Sequence, residues 1–171
     1  IINALQKVKE VGLVKKIGVS IYNAEECRFA LANNVFDVIQ LPVNILDSSI
    51  YANLIHHKPT DKEIIARSIF LQGLLFNRKD IKNKIKQWKE LLEYISKLDD
   101  LAYEYNIDLP TMACSFVSSL IELDGVIVGT GVEKNLTRII KASRFKMTQD
   151  LHDKLMLMSR KHKDWANPRN W

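Results

Sequence analysis

The apolar positions of this chain follow two periods that alternate along its length. Ala4, Leu5, Val8 and Val11 recur at helical spacing, with Gly12 where a helix would end. The run 16–20 reads as a short strand. Asn23 then stands as an N-cap before Glu25 and Glu26, which suit the positive end of a helix whose apolar set is Cys27, Phe29, Ala30 and Leu31. Asn33 and Asn34 end it, and 36–41 is the second strand, where Pro42 limits the hydrogen-bonded ladder. A short helix over 48–57, a turn over 58–61 and a third strand over 63–68 repeat the unit.

After a basic connection over 77–84, the longest helix is traced by Ile85, Trp88, Leu91, Leu92, Ile95, Leu98, Leu101 and Tyr105, with Lys and Glu on its other face. Pro110 suits the first turn of a further helix over 111–123, apolar on most sides. A fourth strand is expected over 126–128, a tight loop over 129–131, and a helix over 133–142. Leu151, Leu155 and Met158 mark a final helix, and 165–171 an irregular tail. Four short strands between helices predict the α/β class with a parallel sheet, because parallel strands need crossovers of about a dozen residues or more. Strands apolar throughout, rather than alternating, predict burial on both faces.

Composition adds little to this picture but excludes several classes. The 171 residues are 47% hydrophobic and 26% charged, as in an ordinary globular domain. A net charge of +5 leans towards anionic ligands, yet the basic residues between Arg78 and Lys89 read as the solvated side of a helix, and no nucleic-acid partner is expected. Cys27 and Cys114 are far apart, which predicts neither a disulfide framework nor a cysteine zinc site and fits a reducing cytoplasm. His56 and His57 are neighbours that diverge on a helix, so no metal site is expected. The most apolar stretch, 112–121, is broken by Cys114, Ser115, Ser118 and Ser119, so no membrane span is expected. The first methionine is Met112, so Ile1 is not expected to be a natural translation start, and a preceding segment is expected.

Parallel α/β sheets bind ligands at the carboxyl ends of their strands. Those ends are polar here: Ser20, then Gln40 and Asn44, then Arg67 and Ser68 opening onto Gln72 and Gly73, then Gly129, Thr130 and Gly131. The loop 129–135 has the parts of an anion site, namely glycines, a hydroxyl and the start of a helix. A plain glycine turn accounts for the same residues, and the loop matches neither G-x-G-x-x-G nor G-x-x-x-x-G-K-[ST]. Lys134 and Arg138, one helical turn apart, either add positive charge there or are solvated. No G-x-S-x-G is present and neither cysteine has a nearby His in sequence, so nucleophilic hydrolysis has no support.

Taken in order, Ile17-Gly-Val-Ser20, Val38-Ile-Gln-Leu-Pro-Val-Asn44, Ile65-Ala-Arg-Ser-Ile-Phe-Leu-Gln-Gly-Leu-Leu75 and Val126-Ile-Val-Gly-Thr-Gly131 resemble the second half of an aldo-keto reductase. The resemblance spans nearly the whole chain. It implies a parallel (β/α)8 TIM barrel of which this chain supplies strands five to eight, with 1–171 as the C-terminal half and 146–171 as its last helix and tail. It also implies a nicotinamide cofactor, NADP with NAD not excluded, across the carboxyl ends. By position, Ser20 and Gln40 would hold the nicotinamide carboxamide. Arg67 would stand where the family often stacks an aromatic ring on the nicotinamide, a place that a planar guanidinium can fill. Ser68, Phe70 and Gln72 match the stretch that lines the pyrophosphate, and Gly129, Thr130, Gly131 and Asn135 match the loop and helix start around the adenosine phosphate. Three positions depart from the pattern: Ile21 replaces an Asn after the first Ser, Asn135 an Arg frequent in NADPH-specific members, and Ile139 an adenine-binding Asn. Lys134 or Arg138 could supply the missing positive charge.

The implied activity is NAD(P)H-dependent reduction of aldehyde or ketone carbonyls to alcohols. The family's catalytic Asp, Tyr, Lys and His belong to its first four strands, so no catalytic residue is assigned, and the isolated chain is expected to be inactive alone. The expected partners are the cofactor, a small carbonyl substrate, and a missing N-terminal half-barrel or a second copy. The alternative is a non-catalytic nucleotide-binding or oligomerising half-barrel module, because half a barrel leaves two unpaired sheet edges and one uncovered apolar face. A whole barrel typically needs about 250 residues, so this length suits half of one plus a tail.

Overall fold

The computed structural model describes residues 1–54, 61–76 and 78–171, with backbone alone at Asp80 and Lys84. Four strands, β1 (Gly18–Ser20), β2 (Val38–Pro42), β3 (Glu63–Arg67) and β4 (Gly125–Val126), form one parallel sheet in the order β1-β2-β3-β4. Helix α1 (Ile2–Glu10) precedes β1, and α2 (Ala24–Ala32) and α3 (Ser49–Leu54) lie in the next two crossovers. The third crossover carries α4 (Ile81–Lys84), α5 (Trp88–Glu104) and α6 (Leu109–Ser118), and α7 (Glu133–Ser143) and α8 (Gln149–Ser159) follow the sheet. Two single 3-10 turns, Asp164–Ala166 and Pro168–Asn170, end the chain. The distal part of the helix expected over 48–57, with His56 and His57, lies outside the described residues, as do 58–60 of the turn and Asn77 of the basic connection.

Local chemistry explains where these elements start and stop. Asn23 and Asp108 cap α2 and α6 by accepting from the N–H of Glu26 and Thr111, and Thr148 caps α8 in the same way. Pro110 sits in the first turn of α6, where its missing N–H costs nothing. Helix α6 stops at Ser118 instead of reaching 123, because the amides of Ser119, Leu120 and Leu123 close successive tight turns. Strand β4 begins one residue early and is only two residues long, although the Ile127 N–H still donates to the Ala66 carbonyl at 2.8 Å.

The sheet is not buried on both faces. Along β2 and β3 burial alternates strictly: Ile39, Leu41, Ile64 and Ala66 are inaccessible, whereas Val38, Gln40, Pro42, Glu63, Ile65 and Arg67 are partly exposed. The inaccessible side joins Leu91, Ile95 and Leu98 of α5 and Met112, Phe116 and Val117 of α6 in the core. Helices cover one face alone, so the apolar runs of these strands are apolar for packing on that face only. The opposite face carries Gly18, Ser20, Gln40, Glu63 and Arg67 beside Val38 and Ile65, so the face expected to be apolar is largely polar.

Two aspartates anchor the amino-terminal rim of the sheet. Asp37 accepts from the Ile17 N–H at 2.7 Å and from Lys9 Nζ at 2.6 Å, while its own N–H donates to the Ile17 carbonyl. Asp124 repeats the device two crossovers later, accepting from the Ile64 N–H at 2.7 Å and donating its own N–H to the Ile64 carbonyl. The buried Lys62 ties β3 to the start of β2 by donating to the carbonyls of Asn33 and Phe36. At the other end of the chain, α8 is locked to the loop after β2. The Ser48 and Ser159 hydroxyls lie 2.7 Å apart in the interior, and the Ser48 N–H donates to the Ser159 carbonyl.

Cys27 and Cys114 are buried and unpaired, and burial raises both thiols above their ordinary range. Among the described residues no helix is long and apolar enough to cross a membrane, and no cluster of His, Cys, Asp and Glu could hold a metal.

The Lys9 hydrogen bond, seconded by the Ile17 amide, holds the Asp37 carboxyl below its ordinary range. Its stabilising effect is therefore complete above the unfolded carboxyl pKa of about 3.9 and is lost as pH falls through the lower folded value. The Asp37→Asn protein should be less stable than the parent at neutral pH, and the two should converge in acid, as chemical denaturation from pH 7 down to about pH 3 would show.

Candidate functional site

The parallel register aligns Ser20, Gln40, Ile65 and Gly125 in one row across all four strands, and pairs Pro42 with Arg67 above it. Ser20, Gln40 and Arg67 come together through this alignment. Arg67 Nε donates to Ser20 Oγ at 3.1 Å, and Ser20 Oγ donates in turn to Gln40 Oε1 at 3.4 Å. The other guanidinium nitrogens donate to Ser68 Oγ at 3.1 Å and to the Ile21 carbonyl at 2.8 Å. Arg67 thus bridges the ends of β1 and β3 across Pro42. Because Gln40 Oε1 is engaged by Ser20, its amide group is turned with the two N–H donors available to a carbonyl oxygen.

Arg67 does not stand alone over an open face. Its guanidinium lies 4.1 Å from the centre of the Tyr22 ring, and Arg169 from the C-terminal turn stacks on the same ring at 3.4 Å. Burial pulls the Arg67 pKa below its ordinary value, Tyr22 opposes that, and the nearby Arg169 adds to it. The group still remains a cation at neutral pH.

The loop after β3 forms the next part of the arc. Ser68, Leu71 and Gln72 all adopt positive φ, at 60°, 44° and 54°, and Gly73 follows at 80°. Non-glycine residues are strained in that region by about 1–3 kcal/mol each, and such strain concentrates at sites that use it. The turn is closed internally, with the Leu71 N–H donating to the Ser68 carbonyl and the Gly73 N–H to the Phe70 carbonyl, both at 2.9 Å. Asn44 braces the loop, donating from Nδ2 to the Ser68 carbonyl at 3.3 Å while its Oδ1 receives the amides of Leu46 and Asp47.

This loop opens on a cleft of about 750 Å³ that runs to the start of α7. Ser68, Phe70, Gln72, Gly129, Thr130 and Asn135 line it, together with Phe76, Arg138 and Ile139. The Phe70 and Phe76 rings, 5.3 Å apart, give it an aromatic wall. Ser20, Gln40 and Arg67 lie outside the cleft and join it through the Arg67–Ser68 hydrogen bond, and Gly131 does not line it. Thr130 is turned back on its own loop, its Oγ1 accepting from the Val132 N–H at 3.2 Å. Arg138 donates to Asp108 Oδ2 at 2.7 Å, and the other Asp108 oxygen caps α6 through Thr111.

Tyr22, Arg169, Asp108 and Leu71 were not picked out by sequence pattern, nor was the positive φ of Ser68 and Gln72. Asp108 carried a local signal, since an Asp two residues before a proline marks a helix start. The stacking of Arg169 on Tyr22 has none.

A four-stranded parallel sheet in sequential order, covered by helices on one face and bearing its polar side chains at the carboxyl ends, is a sector of an α/β barrel. The sequence matches the description "Aldo/keto reductase family" over residues 1–157, and the chain belongs to that family. Similar solved structures include an aldo-keto reductase from Bacillus halodurans. Its apo form has a TM-score of 0.72 at 13% identity and is matched over 96% of this chain and 58% of its own. Its holo form has a TM-score of 0.64 at 12% identity, over 96% and 57%. A thermostable aldo-keto reductase solved with the inhibitor epalrestat has a TM-score of 0.62 at 16% identity, over 92% and 53%. The chain therefore spans somewhat more than half the length of these structures. No curated protein matches the sequence.

A Cβ at Gly129 would meet no protein atom within 4 Å, and the residue does not need positive φ, whereas Gly73 has φ +80°. Gly129→Ala should change folding stability by less than about 0.5 kcal/mol, and Gly73→Ala should cost about 1 kcal/mol. Urea unfolding of the two variants beside the parent tests the contrast.

Proposed function

We propose that this chain is the cofactor-binding half, strands five to eight, of a barrel that reduces aldehyde or ketone carbonyls to alcohols with a nicotinamide dinucleotide. NADP is the cofactor that the resemblance favours, with NAD also accommodated. Residues 1–171 form that half, and 146–171 its last helix and tail. The observation that carries the reading is the continuous polar arc from Ser20 to Asn135. It couples a strand-end triad to a cleft of about 750 Å³, within the usual size range of cofactor sites. The open space beside Gly129 supports the fit, since nothing in the protein requires a glycine there.

When bound, the cofactor supplies the hydride. This chain's residues bind and orient it. Gln40 presents its amide donors to the carboxamide oxygen, held in that pose by the Ser20 hydroxyl, which Arg67 fixes in turn. The Arg67 guanidinium packs at the nicotinamide end, backed by Tyr22. The strained turn of Ser68, Phe70 and Gln72 faces the pyrophosphate, and Gly129, Thr130, Gly131 and Asn135 surround the adenosine end. Proton transfer to the carbonyl oxygen is left to the family's Asp, Tyr, Lys and His on strands one to four, so no catalytic residue is assigned to this chain, and alone it is inactive. Two buried free thiols suit a cytoplasmic location.

One observation favours an oligomerising module as the second reading. Val132 at the N-cap of α7 and Leu136 and Ile140 within it, at four-residue spacing, are about half exposed. Titration of the purified chain with NADPH and NADH, followed by cofactor emission and tryptophan quenching, should saturate for at least one of them. Gln40→Ala should weaken that binding about tenfold, as expected for loss of a well-placed hydrogen bond in a closed site. No saturable signal for either dinucleotide, with self-association in sedimentation, would establish the module instead.

A further inference from the structure

Arg138 is the one charged side chain among the described residues that line the cleft, and it is already engaged. Asp108 holds it at 2.7 Å from the start of α6, a different element, while the second oxygen of Asp108 is committed to the Thr111 amide. The only other side chain of α7 that lines the cleft with a polar group is the neutral Asn135. Lys134 and Lys141 do not line the cleft; with Glu133 and Thr137 they line an adjoining depression that Arg138 shares. The cleft wall therefore offers one cation, and that cation is already engaged by a carboxylate in a partly exposed ion pair.

This matters because NAD and NADP differ only by a phosphate on the adenosine ribose. A 2′-phosphate seeks an unpaired guanidinium, whereas a ribose 2′-hydroxyl is well served by a carboxylate acceptor. On the basis of the proposed cofactor site, we infer that Asp108 sets the choice between the two cofactors by occupying Arg138. A dianionic phosphate entering beside Arg138 must compete with Asp108 for the guanidinium, while an unphosphorylated ribose leaves the pair intact. The parent chain thus gains little from a 2′-phosphate, and Asp108 acts on cofactor choice through Arg138 without lining the cleft itself.

The test is a titration of NADPH and NADH against the parent, Asp108→Asn, Arg138→Ala and the double variant at low salt. Asn caps a helix as well as Asp does, so Asp108→Asn keeps the Thr111 bond while freeing Arg138, and an unchanged melting temperature would confirm that it does. Asp108→Asn should raise the ratio of NADPH to NADH affinity by about fivefold, the scale of one partly exposed charge pair. Arg138→Ala should abolish that gain in the double variant, and 0.5 M salt should shrink it. If the parent binds a dinucleotide but Asp108→Asn leaves the ratio within twofold, the inference about Asp108 is overturned and the cofactor site stands. If no chain binds either dinucleotide, the site itself is refuted and this inference with it.

Discussion

Parallel pairing of β2 with β3 is the constraint on which the rest of the molecule depends. Five consecutive residue pairs fix that register, and everything at the carboxyl rim is a projection of it. Side chains alternate along a strand, so a slip of one residue would turn Gln40 and Arg67 under the helices and push Ile39, Leu41 and Ile64 outward. Lys62 makes such a slip costly, because from the residue before β3 it donates to the Asn33 and Phe36 carbonyls ahead of β2. The rim aspartates fix the two flanking pairs: Asp37 grips the Ile17 amide just before β1 and Asp124 the Ile64 amide in β3, each also pairing with that residue through the backbone. The anchoring is at one end of the sheet and the candidate chemistry at the other, a division of labour usual for barrels.

At the chemical end, polarity is organised by one guanidinium. Arg67 ties together two strand ends, a loop carbonyl and an aromatic ring, so residues far apart in the chain share one rigid arrangement. The ring is shared by a second cation, Arg169, with Glu26 at 3.8 Å to offset part of the like charge. A planar, multiply donating cation can meet these demands at once, and a lysine could not.

Much of this was legible in the sequence, and the parts that were not share a cause. The alternation of helix-period and strand-like runs located the elements, because burial under a helix layer demands those patterns. The polar strand ends located Ser20, Gln40 and Arg67. The glycine loop located the far end of the cleft, and the ordered motifs pointed to the family. The one-sided burial of the sheet was hidden because Val38 and Ile65 are as apolar as their buried neighbours. Helix α6 ended early because turns after Ser118 competed with it, and apolar periodicity cannot register that competition. Positive φ at Ser68, Leu71 and Gln72 had no glycine to announce it. The Arg169–Tyr22 and Arg138–Asp108 contacts are set by tertiary geometry, which no local pattern encodes.

The hydroxyl pair of Ser48 and Ser159 has a consequence for how the chain comes together. It closes a loop of 111 residues with neutral groups that attract one another only at contact, beside Asp47, whose carboxylate accepts from the Lys163 N–H just past α8. The local crossovers of the sheet can assemble as they emerge from the ribosome, but this closure waits until α8 has been synthesised. The loop after β2, which braces the strained turn beside the cleft through Asn44, would then reach its final pose among the last events of folding. A ribosome-bound chain lacking α8 would carry an ordered sheet with an unfinished rim.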